Sequence, residues 1–293
     1  MPKHFVLFGN TYQADKHLAI KQILNAFNQL DAIISIEKIF FDFLTNELNI
    51  DLTKYKRIDT KELHDADYAI SIGGDGTFLR TAKYVVNSNI PIIGINTGHL
   101  GFLSTISPNE IEDFFKELNN NNTHIEKHSL LNVTTSNDQI IDYPYALNEV
   151  AILKHDNSSM IQIDTMVDNH HVATFSADGL IISTPTGSTG YSLSVGGPIV
   201  SPDSSSLILS PIAAHSLTVR PVVIQDNAQI HLKINSRNGN YLISLDGRSQ
   251  SLNQTTEITI SKSNKTINVV RRNSTSFFDT LRNKLMWSTD SRI

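Results

Sequence analysis

Short apolar segments alternate with segments of helical periodicity through the first part of the chain. Four apolar runs have the length of a single buried strand, at residues 4–8, 32–36, 68–72 and 90–95. Apolar residues recur at helical spacing over 18–30 and 77–86, and Ser107-Pro108-Asn109-Glu110 carries the capping signals of one more helix, with a structural role only. Alternation of this kind predicts a parallel sheet covered by helices.

The hydrophobic period shortens from helical to strand-like after Asn119–Asn122, an asparagine run that cannot propagate a helix well. We place a domain boundary near this run. Beyond it, Met160–Asp168 alternates and is followed by a turn at Asn169-His170. Helical spacing returns in Ser276–Trp287, which could pack on the first domain or on a neighbouring subunit.

Turn signals divide the second half into antiparallel strands. Asn238-Gly239 is a strong hairpin signal, and it predicts that Gln229–Ile234 pairs with Tyr241–Leu245. A further pair is predicted around Asn264, between Glu257–Ile260 and Thr266–Val270. The second half is therefore expected to be mainly antiparallel β structure.

A glycine-rich stretch follows the apolar run Tyr68–Ile72 and leads into a helix: Gly73-Gly74-Asp75-Gly76-Thr77. Glycines expose backbone N–H groups beside a helix N-terminus, which suits phosphate. Asp75 could accept a proton from an attacking hydroxyl or face a divalent metal. A plain turn with Asp75 as helix N-cap is the alternative, and these residues alone favour neither. A second glycine loop, Asn96–Phe102, also follows a predicted strand, where open α/β sheets bind ligands.

Asn148-Glu149 is a polar pair between two apolar stretches. A polar pair inside a strand is costly unless its groups are satisfied, and the hydroxyls of a sugar would satisfy both side chains. A strand end or a bulge that faces solvent is the alternative interpretation. Asp246-Gly247, which also ends a predicted strand, is interpreted as a plain turn.

A loop rich in hydroxyl groups, glycine and proline follows the apolar run Leu180–Ile182. Flexible linkers share this composition, but Tyr191 and the flanking apolar residues favour an ordered loop. Tyr191 could stack on a base. Hydroxyl groups that could bind phosphate or ribose are those of Ser188, Thr189, Ser192 and Ser194.

Composition narrows the class of protein. The chain has 293 residues, of which 40% are hydrophobic and 18% charged, enough for one large domain or two ordinary ones. A net charge of -5 argues against nucleic acid as a partner. The absence of cysteine excludes disulfides and thiol catalysis and fits the cytoplasm. The first apolar run is too short for a signal peptide, and no segment approaches a membrane span, so we expect a soluble cytoplasmic protein with no membrane partner.

Several common functional motifs are missing from the sequence. It has no H-E-x-x-H pair, no G-x-x-x-x-G-K-[ST] phosphate loop, no G-x-G-x-x-G after the first strand and no G-x-S-x-G elbow. The adjacent His170 and His171 diverge on a predicted hairpin, so a metal site there is not expected.

Four segments resemble the NAD kinase family in order and spacing. Gly73–Thr77 is similar to the GGDGT signature that NAD kinases share with lipid kinases and, more loosely, with phosphofructokinases. Thr97–Phe102, Asn148-Glu149 and Thr184–Ile199 narrow the resemblance to NAD kinases. The tail, Phe277–Trp287, is similar to the ending of bacterial members, so the resemblance covers nearly the whole chain.

The resemblance implies a Rossmann-like α/β domain over residues 1–122, completed by 272–293 with the last helix docked back on it. An all-β sandwich domain would occupy 123–271. The implied reaction transfers the ATP γ-phosphate to the 2′-hydroxyl of the adenosine ribose of NAD and gives NADP. The implied cofactor is Mg²⁺ or another divalent cation, held mainly through the ATP phosphates rather than by fixed protein ligands. A homodimer or homotetramer is implied, and polyphosphate remains open as an alternative donor.

The family's site residues carry over position by position. Asp75 would be the catalytic base, and Gly74 and Gly76 would shape the phosphate cradle. The residues for ATP phosphates would be Gly73, Gly74, Thr77 and Arg80. The NAD contacts would be Gly76, Phe102 at the adenine, Asn148, Glu149, Asp178 at the nicotinamide end, Thr189, Gly190, Tyr191, Ser194 and Arg248. Gly190 stands where the family generally has Ala, and Arg248 where many relatives have Gln.

Two other functions compete with this interpretation. A lipid kinase of the same superfamily would need a wide apolar pocket and a membrane-facing surface, against which the acidic balance argues. A non-catalytic NAD(P) sensor would keep Asn148, Glu149 and Tyr191 while Asp75 did no chemistry, but the intact glycine stretch argues against it.

Overall fold

A computed structural model describes residues 2–11, 17–30, 32–98, 100–137, 141–155 and 159–287. The chain divides into two compact units: Met1–Lys127 together with Ile267–Ile293, and His128–Thr266. Two strands, β6 (Thr123–Thr135) and β17 (Ile258–Arg272), run from one unit into the other. No helix in the described ranges is long and apolar enough to cross a membrane.

The first unit alternates strands and helices as predicted. Its elements are β1 (Lys3–Gly9), α1 (His17–Asn28), β2 (Ala32–Glu37), α2 (Lys38–Asn46), β3 (Lys56–Ile58), β4 (Tyr68–Ile72), α3 (Asp75–Val85), β5 (Ile92–Ile95), α4 (Ile111–Asn119) and α6 (Phe277–Leu285). Short 3₁₀ helices occupy Thr60–Asp65 and Pro108–Glu110. The predicted capping box is present, with Ser107 as N-cap and Glu110 as its partner.

The sheet of the first unit is parallel, with the strand order β17–β5–β4–β1–β2–β3. Strand β5 is buried along its whole length, and β1 and β4 over most of theirs, as expected for strands that are covered on both faces. Phe115 of α4 packs edge-on against Phe5 and Phe27, with ring centroids 5.4 and 5.1 Å away. This core fixes the strand ends from which the glycine stretch projects.

The second unit is built from two antiparallel sheets. Its further strands are β7 (Tyr145–Ala146), β8 (Glu149–Lys154), β9 (Ile161–Val167), β10 (His170–Ala177), β11 (Gly179–Ser183), β12 (Ser206–Ile212), β13 (Val222–Gln225), β14 (Ile230–Asn235), β15 (Asn240–Leu245) and β16 (Arg248–Asn253). A 3₁₀ helix, Thr186–Thr189, and the single-turn helix α5 (Tyr191–Ser194) follow β11. One sheet has the order β10–β9–β14–β17 and the other β13–β12–β11–β8–β15–β16.

A shared hydrophobic core joins the two sheets of the second unit. Ile152 and Ile182 from one sheet and Ile163 and Ile258 from the other belong to a single buried cluster. Burial alternates along β14 and β15, which is the period-two pattern that the sequence shows. The predicted α/β domain and β-sandwich, with the last helix packed in the first unit, are confirmed.

Two predicted strand pairs are wrong. Strand β14 pairs with β9 and β17, whereas β15 pairs with β8 and β16, so the turn at Asn238-Gly239 carries the chain from one sheet to the other. The strand break predicted at Asn264 does not occur, and β17 continues through it. Turn signals are local, whereas strand partners depend on neighbours that are distant in sequence.

Candidate functional site

The glycine stretch connects the buried strand β4 to the N-terminus of α3. Gly74 is the N-cap residue, and because it has no side chain it makes no capping hydrogen bond to the helix. Asp75 is therefore the first residue of the helix, which corrects the alternative that made it the N-cap. Uncapped N–H groups at the start of a helix favour a negatively charged ligand, and a phosphate is the common one.

The three glycines of this stretch have different reasons for lacking a side chain. Gly73 has a φ of 148°, and a Cβ there would lie 2.4 Å from the Thr77 hydroxyl oxygen, so the fold itself requires glycine. A Cβ on Gly74 or Gly76 would meet no atom within 4 Å. Since packing does not require glycine at those two positions, the open space beside them suits a ligand that approaches the backbone.

The Asp75 carboxylate is held against the second glycine loop. Its oxygens accept N–H groups from Phe102, Leu103 and Ser104 at 2.9, 3.0 and 3.0 Å. This approach requires Gly101, because a Cβ there would lie 2.0 Å from Asp75 Oδ1. A carboxylate has about four acceptor positions, so three bonds leave one, on Oδ2, for a further donor.

Sequence reasoning did not identify Arg271, which holds the same loop from its carbonyl side. Its guanidinium donates to the carbonyl oxygens of Phe102 and Leu103 at 3.1 and 3.3 Å and pairs with Glu126 at 3.0 Å. Arg271 lies on β17, 168 residues from Leu103, so no local pattern could have revealed the contact. The loop is thus fixed from both sides by opposite charges.

The other predicted residues of the first unit lie around this loop or at neighbouring strand ends. Arg80 donates a hydrogen bond to the carbonyl oxygen of Gly9, at the end of β1. Thr77 is buried under Gly73, which gives it a packing role. The Phe102 ring contacts that of Phe277, with centroids 6.5 Å apart.

In the second unit, Asn148 and Glu149 lie directly against the loop that follows β11. A Cβ on Gly187 would lie 2.1 Å from the Asn148 carbonyl oxygen. A Cβ on Gly190 would lie 3.0 Å from Glu149 Oε2 and 3.4 Å from Asn148 Nδ2. The fold therefore brings together the polar pair and the hydroxyl-rich loop, which are about 40 residues apart in sequence.

Polar atoms of this pair are buried without a partner. Among the described residues, neither Asn148 Oδ1 nor Glu149 Oε2 has a hydrogen-bond partner. Burial and, secondly, the neighbouring Asp246 carboxylate raise the pKa of Glu149 to about 7, against the effect of a hydrogen bond from the Tyr191 N–H. Buried polar atoms are rarely left unpaired, so these two are suited to hydroxyl groups of a ligand.

Glu149→Gln is expected to raise thermal stability at pH 8 and to leave it nearly unchanged at pH 4. The folded-state pKa of Glu149, about 7, exceeds its ordinary value of 4.5. The buried carboxylate therefore lowers the free energy of unfolding above pH 7, and this loss shrinks as the pH falls from 7 to 4.5. The loss disappears once Glu149 is protonated in both the folded and the unfolded protein. The free energy of unfolding at pH 8 should be about 1–3 kcal/mol higher for the variant, and it is followed through the higher Tm of the variant relative to the wild type.

Glu112→Gln, at an exposed helical position, is the control. An equal difference in Tm at both pH values would contradict the assignment.

The hydroxyl candidates of the loop divide into two groups. Ser188 bonds both backbone groups of Val200, and Ser192 bonds Ser210 at 3.0 Å. Because both side chains are buried, the hypothesis that they bind phosphate or ribose is not supported. The hydroxyl of Thr189 donates to the Thr186 carbonyl oxygen at 3.3 Å.

Two side chains of α5 remain open to a ligand. Ser194 is exposed, and the Tyr191 side chain is 40% exposed. An exposed aromatic ring on an ordered turn can stack on a planar group.

Asp178 and Arg248 have partners within the protein. Asp178 pairs with Lys154 at 2.7 Å and lines a cavity of about 450 Å³ that also contacts Gln162, Ser176 and Arg237. Arg248 donates to the carbonyl oxygens of Tyr143 and Tyr145 at 3.0 and 2.7 Å. Sequence reasoning interpreted Asp246 as part of a plain turn, but its carboxylate accepts N–H groups from Leu147, Asn148 and Glu149.

The fold and these features together define a nucleotide-binding phosphotransferase class. Residues 14–123 match the family described as the ATP-NAD kinase N-terminal domain, and residues 147–272 match the ATP-NAD kinase C-terminal domain. The chain is 47% identical to the NAD kinase of Bacteroides fragilis over 289 residues, covering 99% of both chains. It is 42% identical to the NAD kinase of Christiangramia forsetii over 291 residues, covering 98% of both.

Solved structures show the same fold. An NAD kinase from Archaeoglobus fulgidus in complex with ATP matches with a TM-score of 0.74 and 29% identity, covering 98% of this chain and 99% of that one. Yeast NADH kinase complexed with NADH matches with a TM-score of 0.84 at 21% identity, covering 100% of this chain and 90% of that one. The chain belongs to the NAD kinase family.

Proposed function

We propose that this protein transfers the γ-phosphate of ATP to the 2′-hydroxyl of the adenosine ribose of NAD, giving NADP and ADP. The observation that carries the proposal is a carboxylate, Asp75, at the uncapped N-terminus of a helix between two glycines that face open space. The ribose oxygen forms a bond to the γ-phosphorus while the bond from that phosphorus to the β–γ bridging oxygen breaks. The hydroxyl proton passes to Asp75.

Asp75 is the general base of this proposal. A ribose hydroxyl is a poor nucleophile at neutral pH, and a positioned base contributes about 10²–10⁴-fold to such a step. The acceptor position left on Oδ2 supports this role. The three N–H bonds fix the direction in which the carboxylate points.

The remaining residues bind the substrates. The residues placed around the ATP phosphates are Gly73, Gly74, Thr77 and Arg80. The N–H groups of Gly73 and Thr77 donate to the carbonyl oxygens of Ile95 and Gly74, both at 2.9 Å, so these two residues shape the phosphate loop rather than donate to the phosphates. The dinucleotide contacts are Gly76, Phe102, Asn148, Glu149, Asp178, Thr189, Gly190, Tyr191 and Ser194. Arg248, whose guanidinium donates to the carbonyl oxygens of Tyr143 and Tyr145, supports this set from within the protein. The buried, unpartnered oxygens of Asn148 and Glu149 support ribose hydroxyls as their ligands.

A divalent cation, Mg²⁺ by preference, accompanies the ATP. The described side chains contain no group of three or more His, Cys, Asp or Glu residues arranged to hold a metal. Mg²⁺ commonly keeps several waters and binds through substrate phosphates, so in this proposal the ATP phosphates hold it and Asp75 stays available as the base. When bound, the cation neutralises phosphate charge.

We further propose a cytoplasmic homodimer or homotetramer. Family membership supports the assembly, and the absence of cysteine fits a reducing compartment. Light scattering after size-exclusion chromatography would give two or four times the chain mass of 32.6 kDa, and a monomeric mass would refute the assembly.

The decisive experiment mixes the pure protein with NAD, ATP and Mg²⁺ and detects NADP with an NADP-specific dehydrogenase. Formation of NADP that depends on ATP is the expected result. Product with polyphosphate alone would correct the donor. Calorimetric binding of NAD without any product would support a sensor instead, and phosphorylation of vesicle lipid would support a lipid kinase.

A further inference from the structure

The tip of the β15–β16 hairpin makes contacts that a turn does not need. Leu245 pairs with Arg248, so the turn consists of Asp246 and Gly247 alone, with φ values of 47° and 79°. Asp-Gly suits such a two-residue turn, in which both central residues have positive φ. The backbone conformation explains the residue types but leaves the Asp246 side chain unexplained.

The Asp246 carboxylate accepts three successive backbone N–H groups from the segment before β8. The donors are Leu147 at 2.7 Å, Asn148 at 2.8 Å and Glu149 at 3.1 Å. The backbone N–H of Asp246 also donates to the Glu149 carbonyl oxygen at 3.1 Å. These contacts cross 97 to 99 residues of sequence and fix the backbone of the polar pair.

Arg248 holds the other end of the same segment with the opposite charge. Its guanidinium donates to the carbonyl oxygens of Tyr143 and Tyr145 and lies 4.7 Å from the centroid of the Tyr143 ring. The carboxylate thus takes N–H groups of residues 147–149, while the guanidinium takes carbonyl groups of residues 143 and 145. A planar fork suits two carbonyl oxygens in a way that an ammonium group does not.

A second hairpin of the same unit provides an internal comparison. The β9–β10 turn consists of Asp168 and Asn169, also with positive φ, at 47° and 66°. The Asp168 carboxylate accepts one N–H, from Gln229 at 2.9 Å. A turn of this type therefore forms without a carboxylate that gathers three N–H groups.

We propose that Asp246 and Arg248 are positioning residues, which clamp segment 143–149 so that Asn148 and Glu149 present their side chains to the dinucleotide. This inference rests on the proposed function. Asp246 acts through the backbone of the polar pair, and the two carbonyl contacts of Arg248 serve the same segment. The buried oxygens of Asn148 and Glu149 can stay unpaired only if the backbone behind them cannot rotate to pair them elsewhere.

The proposed positioning role also predicts a change in the pH dependence of NAD binding, which a purely structural role would not produce. Burial and the charge of Asp246 raise the pKa of Glu149 to about 7, so ligand binding by the ionised form should weaken below pH 7. The other charged or titratable groups on the clamped segment and the hairpin are Tyr143, Tyr145, Tyr241 and Arg248, and Asp142 directly precedes the segment. Burial also raises the pKa of Asp246 itself, against the effect of its three N–H bonds and of Arg248. Neutralising Asp246 would remove a like charge, so the pKa of Glu149 would fall and the acid limb would move to lower pH.

The test compares Asp246→Asn with Asp168→Asn in the full chain. Calorimetry measures NAD binding, and the coupled assay measures kcat and the KM values for NAD and ATP across pH. Asp246→Asn should weaken NAD binding about 10- to 100-fold, because it breaks hydrogen bonds to a charged group. The KM for ATP should stay unchanged, and the acid limb of kcat/KM for NAD should move to lower pH. Asp168→Asn should match the wild type.

Unchanged NAD binding by folded Asp246→Asn would overturn the proposal. Equal rises in the KM values for NAD and ATP, with no shift in the acid limb of kcat/KM for NAD, would also overturn it. If the wild type bound NAD without forming NADP, the proposed reaction would fail, while calorimetry on the two variants would still test the clamp.

Arg248→Lys tests the other half of the clamp and serves if Asp246→Asn does not fold. Lysine keeps the positive charge for any phosphate of the ligand but cannot bridge both carbonyl oxygens. The expected result is a rise of about 3- to 10-fold in the KM for NAD with kcat unchanged. An unaltered KM for NAD would remove Arg248 from the positioning role.

Discussion

Replacing Asp75 by asparagine is expected to lower kcat by about 10²- to 10⁴-fold, the usual contribution of a positioned general base. An amide is nearly the same size as a carboxylate, but it cannot take the proton of the ribose hydroxyl. Its single oxygen can still accept Leu103 and Ser104, which share Oδ1 in the wild type. Turnover is measured as NADP formed with saturating NAD, ATP and Mg²⁺.

The carboxylate also anchors the second glycine loop, so the loss of a base must be separated from the loss of an anchor. In Asp75→Asn the N–H of Phe102 would face an amide nitrogen instead of Oδ2. Thermal unfolding and calorimetric binding of NAD report on that disturbance. Asp59→Asn is a suitable control, because this exposed carboxylate also accepts a backbone N–H, from Lys61 at 3.1 Å. Full kcat in folded Asp75→Asn would exclude Asp75 as the base.

Gly76→Ala is expected to reduce kcat/KM for ATP by about 10²-fold or more while leaving the fold intact. A Cβ at this position meets no protein atom within 4 Å, and alanine favours the first turn of α3. The methyl group would occupy the space where a phosphate must approach the backbone. A displacement of about 1 Å at a reacting group can cost about 10²-fold in rate. Gly74→Ala should behave in the same way, since its Cβ also meets open space.

Gly101→Ala is the contrasting variant for this prediction. Its Cβ would lie 2.0 Å from Asp75 Oδ1, so it should lower both Tm and turnover. Gly76→Ala should lower turnover with an unchanged or raised Tm. If Gly76→Ala kept full turnover with ATP, the phosphate would not approach the backbone at this position.

The pH-dependent gain in stability of Glu149→Gln complements these losses of function. Burial raises the pKa of Glu149 to about 7, so its carboxylate is a cost to the fold, and ligand binding is a reason for such a cost at a functional site. Glu149 is therefore expected to trade stability for binding, which is common where polar groups are buried without partners.

The two classes of secondary structure and the glycine stretch could be predicted from the sequence alone. A parallel strand that is covered on both faces has a continuous apolar sequence, because all its side chains are buried. A half-buried strand alternates apolar and polar residues, because its side chains face the core and the solvent in turn. Gly73–Thr77 could be recognised because all its parts are adjacent in the chain. The strand–turn–helix geometry around it follows from the same local pattern.

The strand partners of the second unit could not be predicted from the sequence and depend on the folded chain. Asn238-Gly239 does form a turn, with a φ of 78° at Gly239, but the strands on either side enter different sheets. The continuous β17 passes through Asn264 although the residue type suggests a break. Strand pairing is selected by burial against distant neighbours, which a local turn signal does not encode.

Only the folded chain also shows which backbone groups Asp246 and Arg271 contact. Asp246 looks like an ordinary turn residue in sequence, and Arg271 looks like an ordinary strand residue. Each becomes significant only when folding brings its charge to backbone groups about 100 or more residues away. A carboxylate accepts hydrogen bonds from backbone N–H groups, and a guanidinium donates them to backbone carbonyl groups. Because these backbone groups are alike along the chain, the sequence alone does not show which of them a charged side chain will contact.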